Sequence, residues 1–283
     1  MIKDYLIETM DQSEVNLAIE WATREGWNPG VHDAICFYQT DPNGFFAGKL
    51  KGQIIAIGSA VIYDEHFAFC GFYIVDTPYR DQGYGLELTK ARLAYIGNRN
   101  AGIDGVMTML DKYSRIGYRF AHNNARYRLN KKIESIQSDD PNIVPLNQTD
   151  FSQLSAYDRL HFPAPRPQFL KCWINQPQSQ ALGYVFEGQI KGYGVIRTCR
   201  QGLKIGPLFA DTADIADKLF SHLAQYAKGS MIFLDIPENN PSAIELVQQY
   251  KMEKVFATAR MYLKGEPQLK KENIYGITTF ELG

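Results

Sequence analysis

No apolar run in this 283-residue chain approaches the length of a membrane span. Its opening, Met-Ile-Lys-Asp-Tyr, lacks the basic-then-apolar pattern of a secretory signal, so a cytoplasmic location is expected. No block of like charge stands out and the formal net charge is -1, which argues against nucleic acid or an anionic membrane as partner. Cysteine is scarce. Cys36, Cys70, Cys172 and Cys199 lie far apart with no Cys-x-x-Cys pair, and free buried thiols in a reducing compartment are expected. The five histidines are scattered and share no zinc spacing with the cysteines, so no metal is expected. What remains is ordinary for a globular protein: 45% hydrophobic and 22% charged residues, in a chain long enough for two domains or one large one.

One stretch organises the rest. Phe67 to Val75 is a continuous run rich in aromatic and β-branched residues, the pattern of a strand buried on both faces. Asp76-Thr-Pro-Tyr79 turns into Arg80-Asp81-Gln82-Gly83-Tyr84-Gly85, and good helix formers follow from Leu86 to Ile96. The first N–H groups of a helix have no partner within it, and its dipole adds partial positive charge there. Glycines at Gly83 and Gly85 leave those groups open to a diphosphate, with Arg80 as a charged fork beside them. No Gly-Lys-Ser/Thr follows, which excludes a Walker loop, and the third glycine of a dinucleotide fingerprint is missing.

The stretch resembles motif A of the GCN5-related N-acetyltransferases (GNAT), in which a strand ending Val-x-x-x-x-Arg leads into Gln/Arg-x-x-Gly-x-Gly/Ala and a helix. Val75, Arg80, Gly83 and Gly85 occupy the diagnostic places. The resemblance implies an α/β fold with a mixed, mostly antiparallel sheet flanked by helices. It also implies acetyl-CoA as acyl donor, held by Arg80, Asp81, Gln82, Gly83, Tyr84, Gly85 and Leu86, with the Ile74 and Val75 backbone aligning the pantetheine arm.

Before this stretch, residues 3–10 read as a strand, and Asp11-Gln-Ser-Glu14 has the form of a capping box opening a helix. Gly26 to Asp33 reads as loop, Asp41-Pro-Asn-Gly44 as a turn, and Phe45–Leu50 with Ile54–Tyr63 as a hairpin. After it, Gly105–Leu110 is expected to be a strand, with Tyr113, Ile116 and Phe120 on a helix and a last strand over Ala125–Leu129. Tyr113-Ser-Arg-Ile-Gly117-Tyr118 is similar to the family's motif B, with Tyr in place of Phe.

The second half echoes the first. Asn147-Gln-Thr-Asp150-Phe151 matches Asp11-Gln-Ser-Glu14-Val15, and Gly188-Gln-Ile190 with Gly194 matches Gly52-Gln-Ile54 with Gly58, both at an offset of 136 residues (147 − 11 and 188 − 52). Asn240-Pro-Ser-Ala243 resembles motif B again. Tandem acetyltransferase-like units are therefore expected: residues 1–130 binding the cofactor, a linker at 131–146, and a degenerate unit at 147–283. At a similar offset (216 − 83 = 133), Gly83 and Gly85 correspond roughly to Ala216 and Lys218, with Asp214 and Asp217 nearby, and Val247 falls near the place of Tyr113. The whole chain is similar to bacterial acetyltransferases with an appended second acetyltransferase-like domain.

Acyl transfer to an amine needs a deprotonated nucleophile, a polarised carbonyl and a protonated leaving thiolate. Freeing an alkyl ammonium of its proton at neutral pH costs roughly 4–5 kcal/mol. The family resemblance makes Tyr113 the acid for the thiolate. No carboxylate lies on the Phe67–Val75 strand, so His66, just before it, is the first candidate base, with Asp64 and Glu65 beside it and Asp235 or Glu238 as more remote ones. Trp27, Pro29, Phe45, Phe46 and Trp173 are either core or acceptor-pocket walls. Lys90, Arg92 and Arg99 lie either on a solvated helix face or near the coenzyme's ribose phosphate. The expected acceptor is a small-molecule or peptide amine; the rival class is an acyl-CoA-binding regulatory module without turnover.

Overall fold

The computed structural model describes residues 2–130 and 140–283. Local signals act as expected at the start. The Asp11 carboxylate accepts from the Ser13 and Glu14 amides at 2.8 and 2.9 Å, and the Glu14 side chain takes the Asp11 N–H in return. This capping box opens α1 (Gln12–Arg24), which follows β1 (Tyr5–Thr9) and buries Val15, Ala18, Ile19 and Trp21. The expected loop gives way at its end, Asp33, to α2 (Asp33–Thr40), a helix the sequence reading did not assign. Its short apolar face, Ala34, Cys36 and Phe37, packs on a helix more than a hundred residues away.

The hairpin of β2 (Phe45–Leu50) and β3 (Gln53–Ile62) leads to β4 (Phe67–Val75), buried along most of its length. Then come α3 (Tyr84–Ile96), β5 (Asn100–Val106), α4 (Leu110–Ile116) and β6 (Arg119–Leu129). The strand expected at Gly105–Leu110 is thus displaced: Met107–Met109 is a 3-10 turn feeding α4. Gly117 ends α4 at φ +116°, a left-handed conformation that suits glycine, so Phe120 stands in β6 and not on the helix of Tyr113.

The second half repeats the order. It contains β7 (Ile143–Pro145), α5 (Phe151–Arg159), α6 (Pro167–Trp173), β8 (Ser179–Phe186), β9 (Gln189–Thr198) and β10 (Leu203–Ala210). It continues with α7 (Ala213–Tyr226), β11 (Ile232–Pro237), α8 (Pro241–Gln249), β12 (Glu253–Tyr262) and β13 (Ile274–Gly276). Residues 131–139 of the expected linker lie outside the described residues; Ile143–Pro145 of it pairs with β8.

The thirteen strands among the described residues join one sheet, in the order β1-β2-β3-β4-β5-β12-β6-β11-β10-β9-β8-β7, with β13 against β10. The middle of that order is an exchange. Strand β12, from the second half, sits between β5 and β6, and β6, from the first, sits between β12 and β11. Helices α1, α2, α5 and α6 share one buried cluster on one face of the sheet, while α3 with α4 and α7 with α8 cover the other. Cys36 of α2 and Cys172 of α6 are joined by a disulfide at a sequence separation of 136, the repeat offset itself. This corrects the expectation of four free thiols; Cys70 and Cys199 are free and buried. No helix among the described residues is long and apolar enough to cross a membrane.

Candidate active site

β4 and β5 run parallel but touch only at their start, with Phe67, Ala68 and Phe69 opposite Asn100, Ala101 and Gly102. Beyond that point β5 pairs through its other edge with β12, and among the described residues the edge of β4 that faced β5 has no strand beside it. The cause is a bulge. Phe72 adopts φ +47° and the β3–β4 register slips between Ile57 and Ser59. The Ser59 hydroxyl accepts the Gly71 N–H at 3.0 Å, and Arg92 of α3 donates to the Ser59 carbonyl at 2.8 Å and to that of Gly71 at 3.4 Å. Arg92 is therefore buried under the bulge and not on a solvated face. Among the described residues the resulting wedge leaves the β4 edge at Tyr73, Ile74 and Val75 without a strand on the β5 side.

At the wide end of the wedge lies the expected phosphate loop. Gly83, at φ +90°, is the N-cap of α3 and offers no side chain to its amides. The two glycines divide the work. Gly83 supplies the left-handed backbone, and a Cβ there would meet only Ile2 at 3.6 Å. A Cβ on Gly85 would run into the Tyr73 hydroxyl and Val75, so Gly85 serves close packing of α3 on β4. Arg80 Nε donates to the Val75 carbonyl at 2.8 Å, and its Nη2 pairs at 2.6 Å with Glu25, the residue that caps the C-terminus of α1, tying the loop to strand and helix end. Gln82 donates to the Pro78 carbonyl, Tyr84 packs edge-on against Tyr5, Asp81 points to solvent, and Leu86 is 55% exposed. Lys90 pairs with Glu87, and Arg99 binds the Asp64 and Ile96 carbonyls.

Tyr113 of α4 reaches the same wedge from the α3–α4 face. Its ring lies over Gly105, where a Cβ would come within 2.6 Å, and it borders the cluster that holds Tyr73 and Val75. Burial pushes its phenol up to about 12, with the nearby Arg92 charge opposing. His66 is not brought to this place. It sits at the closed end of the wedge, where its carbonyl accepts the Asn100 N–H, and its side chain is 81% exposed. Of the other candidates, Asp235 is clamped by Arg126 and Glu238 pairs with Lys254. Phe45, Phe46, Trp173 and Pro29 are buried; Trp27 is half-buried and accepts from Arg126.

The second half carries the same wedge and closes it. β10 meets β11 over three residue pairs, Leu203, Lys204 and Ile205 opposite Ile232, Phe233 and Leu234. There β13 enters, pairing with β10 at Leu208 and Phe209 while the Ile277 N–H donates to the Asp235 carbonyl of β11. The long connection ahead of the helix is also missing among the described residues. Residues 76–83 separate β4 from α3, whereas only Asp211 and Thr212 separate β10 from α7. The Thr212 hydroxyl occupies the helix start by accepting from Ile215 N–H. Ala216 and Lys218 consequently stand further along α7 than the expected match to Gly83 and Gly85. Asp214 pairs with Lys218, and Asp217 with Gln249 and Tyr250.

Comparisons with known proteins agree with this geometry. Residues 13–114 match the Acetyltransferase (GNAT) family and residues 154–276 an Acetyltransferase (GNAT) domain. The chain is 30% identical over 274 residues to a holothin acyltransferase of a Pseudoalteromonas species, covering 95% of this chain and 92% of that protein. It is 22% identical over 236 residues to the uncharacterized N-acetyltransferase YitH of Bacillus subtilis, covering 83% of each. The crystal structure of a putative acetyltransferase from Pyrococcus horikoshii superposes with a TM-score of 0.85 at 21% identity, over 100% of this chain and 97% of that one. Fold and wedge together define an acyltransferase built from two repeated units. More narrowly, the chain belongs to the GCN5-related N-acetyltransferase family.

Proposed function

We propose that the protein is an N-acetyltransferase that moves the acetyl group of acetyl-CoA directly to an amine, in a ternary complex without an acyl-enzyme. The carrying observation is the asymmetry of the two wedges: that between β4 and β5 is open beside a helix start with no side-chain cap, and its counterpart is filled by Ile274–Gly276. In this reading residues 1–130 hold the cofactor. The free amides at Gly83, Tyr84 and Gly85 receive the diphosphate, with Arg80, Asp81, Gln82 and Leu86 forming the rest of the loop. The β4 edge at Ile74 and Val75 takes the pantetheine arm. Residues 147–283, joined through 131–146, build the acceptor side. Tyr113, held protonated by burial, gives its proton to the departing thiolate. The acceptor is an amine of a small molecule or peptide, and holothin, the compound in the name of the 30% identical relative, is the first to try.

The test is thiol release from acetyl-CoA across a panel of amines, run beside calorimetric binding of CoA. Binding with turnover supports transfer. Binding without turnover on any amine would favour a regulatory acyl-CoA module, and no binding would remove both readings.

A further inference from the structure

Five arginines among the described residues are buried, and four of them hold a carboxylate through two hydrogen bonds. Arg126 is paired in this way with Asp235, Arg166 with Asp158, Arg197 with Asp33 and Arg260 with Asp104. The fifth, Arg92 of α3, is 7% exposed and has no carboxylate partner among the described residues. Its partners are carbonyls, that of Ser59 on β3 at 2.8 Å and that of Gly71 on β4 at 3.4 Å, one from each strand at the register slip. A buried charge without a counter-charge is costly, which marks the position as a candidate for function.

The chain makes room for it. A Cβ on Gly58 would lie 2.9 Å from Arg92 Cδ and 3.2 Å from its Nε, so the glycine admits the arginine stem between α3 and β3. The second half supplies the comparison. Gly194 stands at the repeat offset of 136 from Gly58 (194 − 58), and a Cβ there would lie 2.7 Å from Leu223 of α7. The unit with the filled wedge thus packs a fully buried leucine where the unit with the open wedge holds an arginine. Packing of helix on sheet does not call for a charge at this place.

What the charge faces is a set of phenols. The guanidinium lies over the Tyr73 ring, 5.4 Å from its centroid, and Tyr73 directly follows the bulged Phe72. Tyr73 of β4, Tyr113 of α4 and Tyr118, just ahead of β6, border one apolar cluster with the Cys70 thiol. Burial raises the phenols of Tyr113 and Tyr118, and the Arg92 charge opposes that rise at both. With these groups neutral, the cation has only carbonyl dipoles and a ring face for company. A phenoxide at Tyr113 gives it the anion it lacks.

We propose that Arg92 is a positioning residue for the transfer that acts through Tyr113, its unpaired charge stabilising the phenoxide left when the tyrosine protonates the thiolate; this rests on the acetyl-transfer reading above. The uncharged amine forms the C–N bond at the thioester carbonyl. The C–S bond breaks with its electron pair on sulfur, which takes the Tyr113 proton. The phenoxide, held beside Arg92, takes the proton that nitrogen sheds as the amide forms. The amine proton so replaces the one given to sulfur, and the phenol is restored. Because the fork is fixed on two carbonyls before reaction, the charge is in place without rearrangement.

The experiment is a double-mutant cycle on kcat for thiol release from acetyl-CoA with the amine panel, beside calorimetric CoA affinity for each variant. Arg92→Leu installs the residue of the second unit. It is expected to bind CoA like wild type and to lose about 10-fold or more in kcat, with Arg92→Lys recovering most of the loss. In a Tyr113→Phe background the same Arg92→Leu change is expected to cost less than about threefold. An unchanged kcat, an equal loss in both backgrounds, a loss matched by loss of CoA affinity, or a Tyr113→Phe that costs nothing by itself would each overturn the proposal. If the leucine variant does not fold, Arg92→Gln decides: it keeps a donor for the Ser59 carbonyl without the charge, and the same pattern is expected of it. A wild type that binds no CoA, or releases no thiol with any amine, fails the acetyl-transfer reading instead, and is told apart by showing in the unmutated chain.

Discussion

Gly83 and Gly85 are one motif in the sequence and two different devices in the structure. Gly83 is required for its φ of +90°, so Gly83→Val strains the loop by about 1–2 kcal/mol and covers the first amides of α3. We expect it to lower CoA affinity at least about tenfold in calorimetry, with the far-ultraviolet spectrum unchanged. Gly85→Val instead pushes into Tyr73 and Val75, and should lower the melting temperature as well as affinity. Tyr113→Phe is expected to keep CoA affinity and lower kcat by about 100-fold or more. Because burial pushes the phenol up to about 12, Tyr113 should contribute no alkaline limb to the wild-type rate below that pH. These positions were legible because each reports a local demand: a left-handed turn, a helix start, a ring spaced from a glycine.

Among elements, those governed by their own residues were read correctly: β1, the capped α1, the β2–β3 hairpin, β4 and α3. Those shaped by partners were not. Helix α2 exists because its apolar side packs on α6, and β6 is a long strand because β11 and β12 flank it on either side. The Cys36–Cys172 bridge joins α2 to α6, and closing so large a loop stabilises by about 2–4 kcal/mol. Reduction, or Cys36→Ala with Cys172→Ala, should lower the melting temperature, and thiol titration in denaturant without reductant should find two free thiols; four would contradict the bridge. The turn after α5 carries a second sensitivity. His161 is 3% exposed, its Nδ1 donates to the Tyr157 carbonyl at 2.9 Å, and burial lowers it from 6.5 to about 4. The unfolded chain then binds more protons once pH falls below about 6.5, so stability is lost from there down to about pH 4. At pH 5 the loss from this residue is about 2 kcal/mol. His161→Asn should show a smaller drop between neutral pH and pH 5 in denaturant melts; an equal drop would assign the acid sensitivity elsewhere.

At the scale of the whole molecule, the two units share a fold and differ at the wedge, which is open between β4 and β5 and filled by β13 between β10 and β11. The tandem organisation was visible as a repeat at one offset. The short connection between β10 and α7 and the strand returning at residue 274 were not visible, because neither leaves a local signature. Nor was the exchange of β6 and β12, which makes one sheet of the two units and places the second unit's closing segment at the first unit's bulge. One open wedge and one filled wedge fix a stoichiometry. Calorimetric titration with CoA should give one site per chain in wild type and a severely weakened one in Gly83→Val. Two sites per chain, or a single site indifferent to Gly83, would contradict the account.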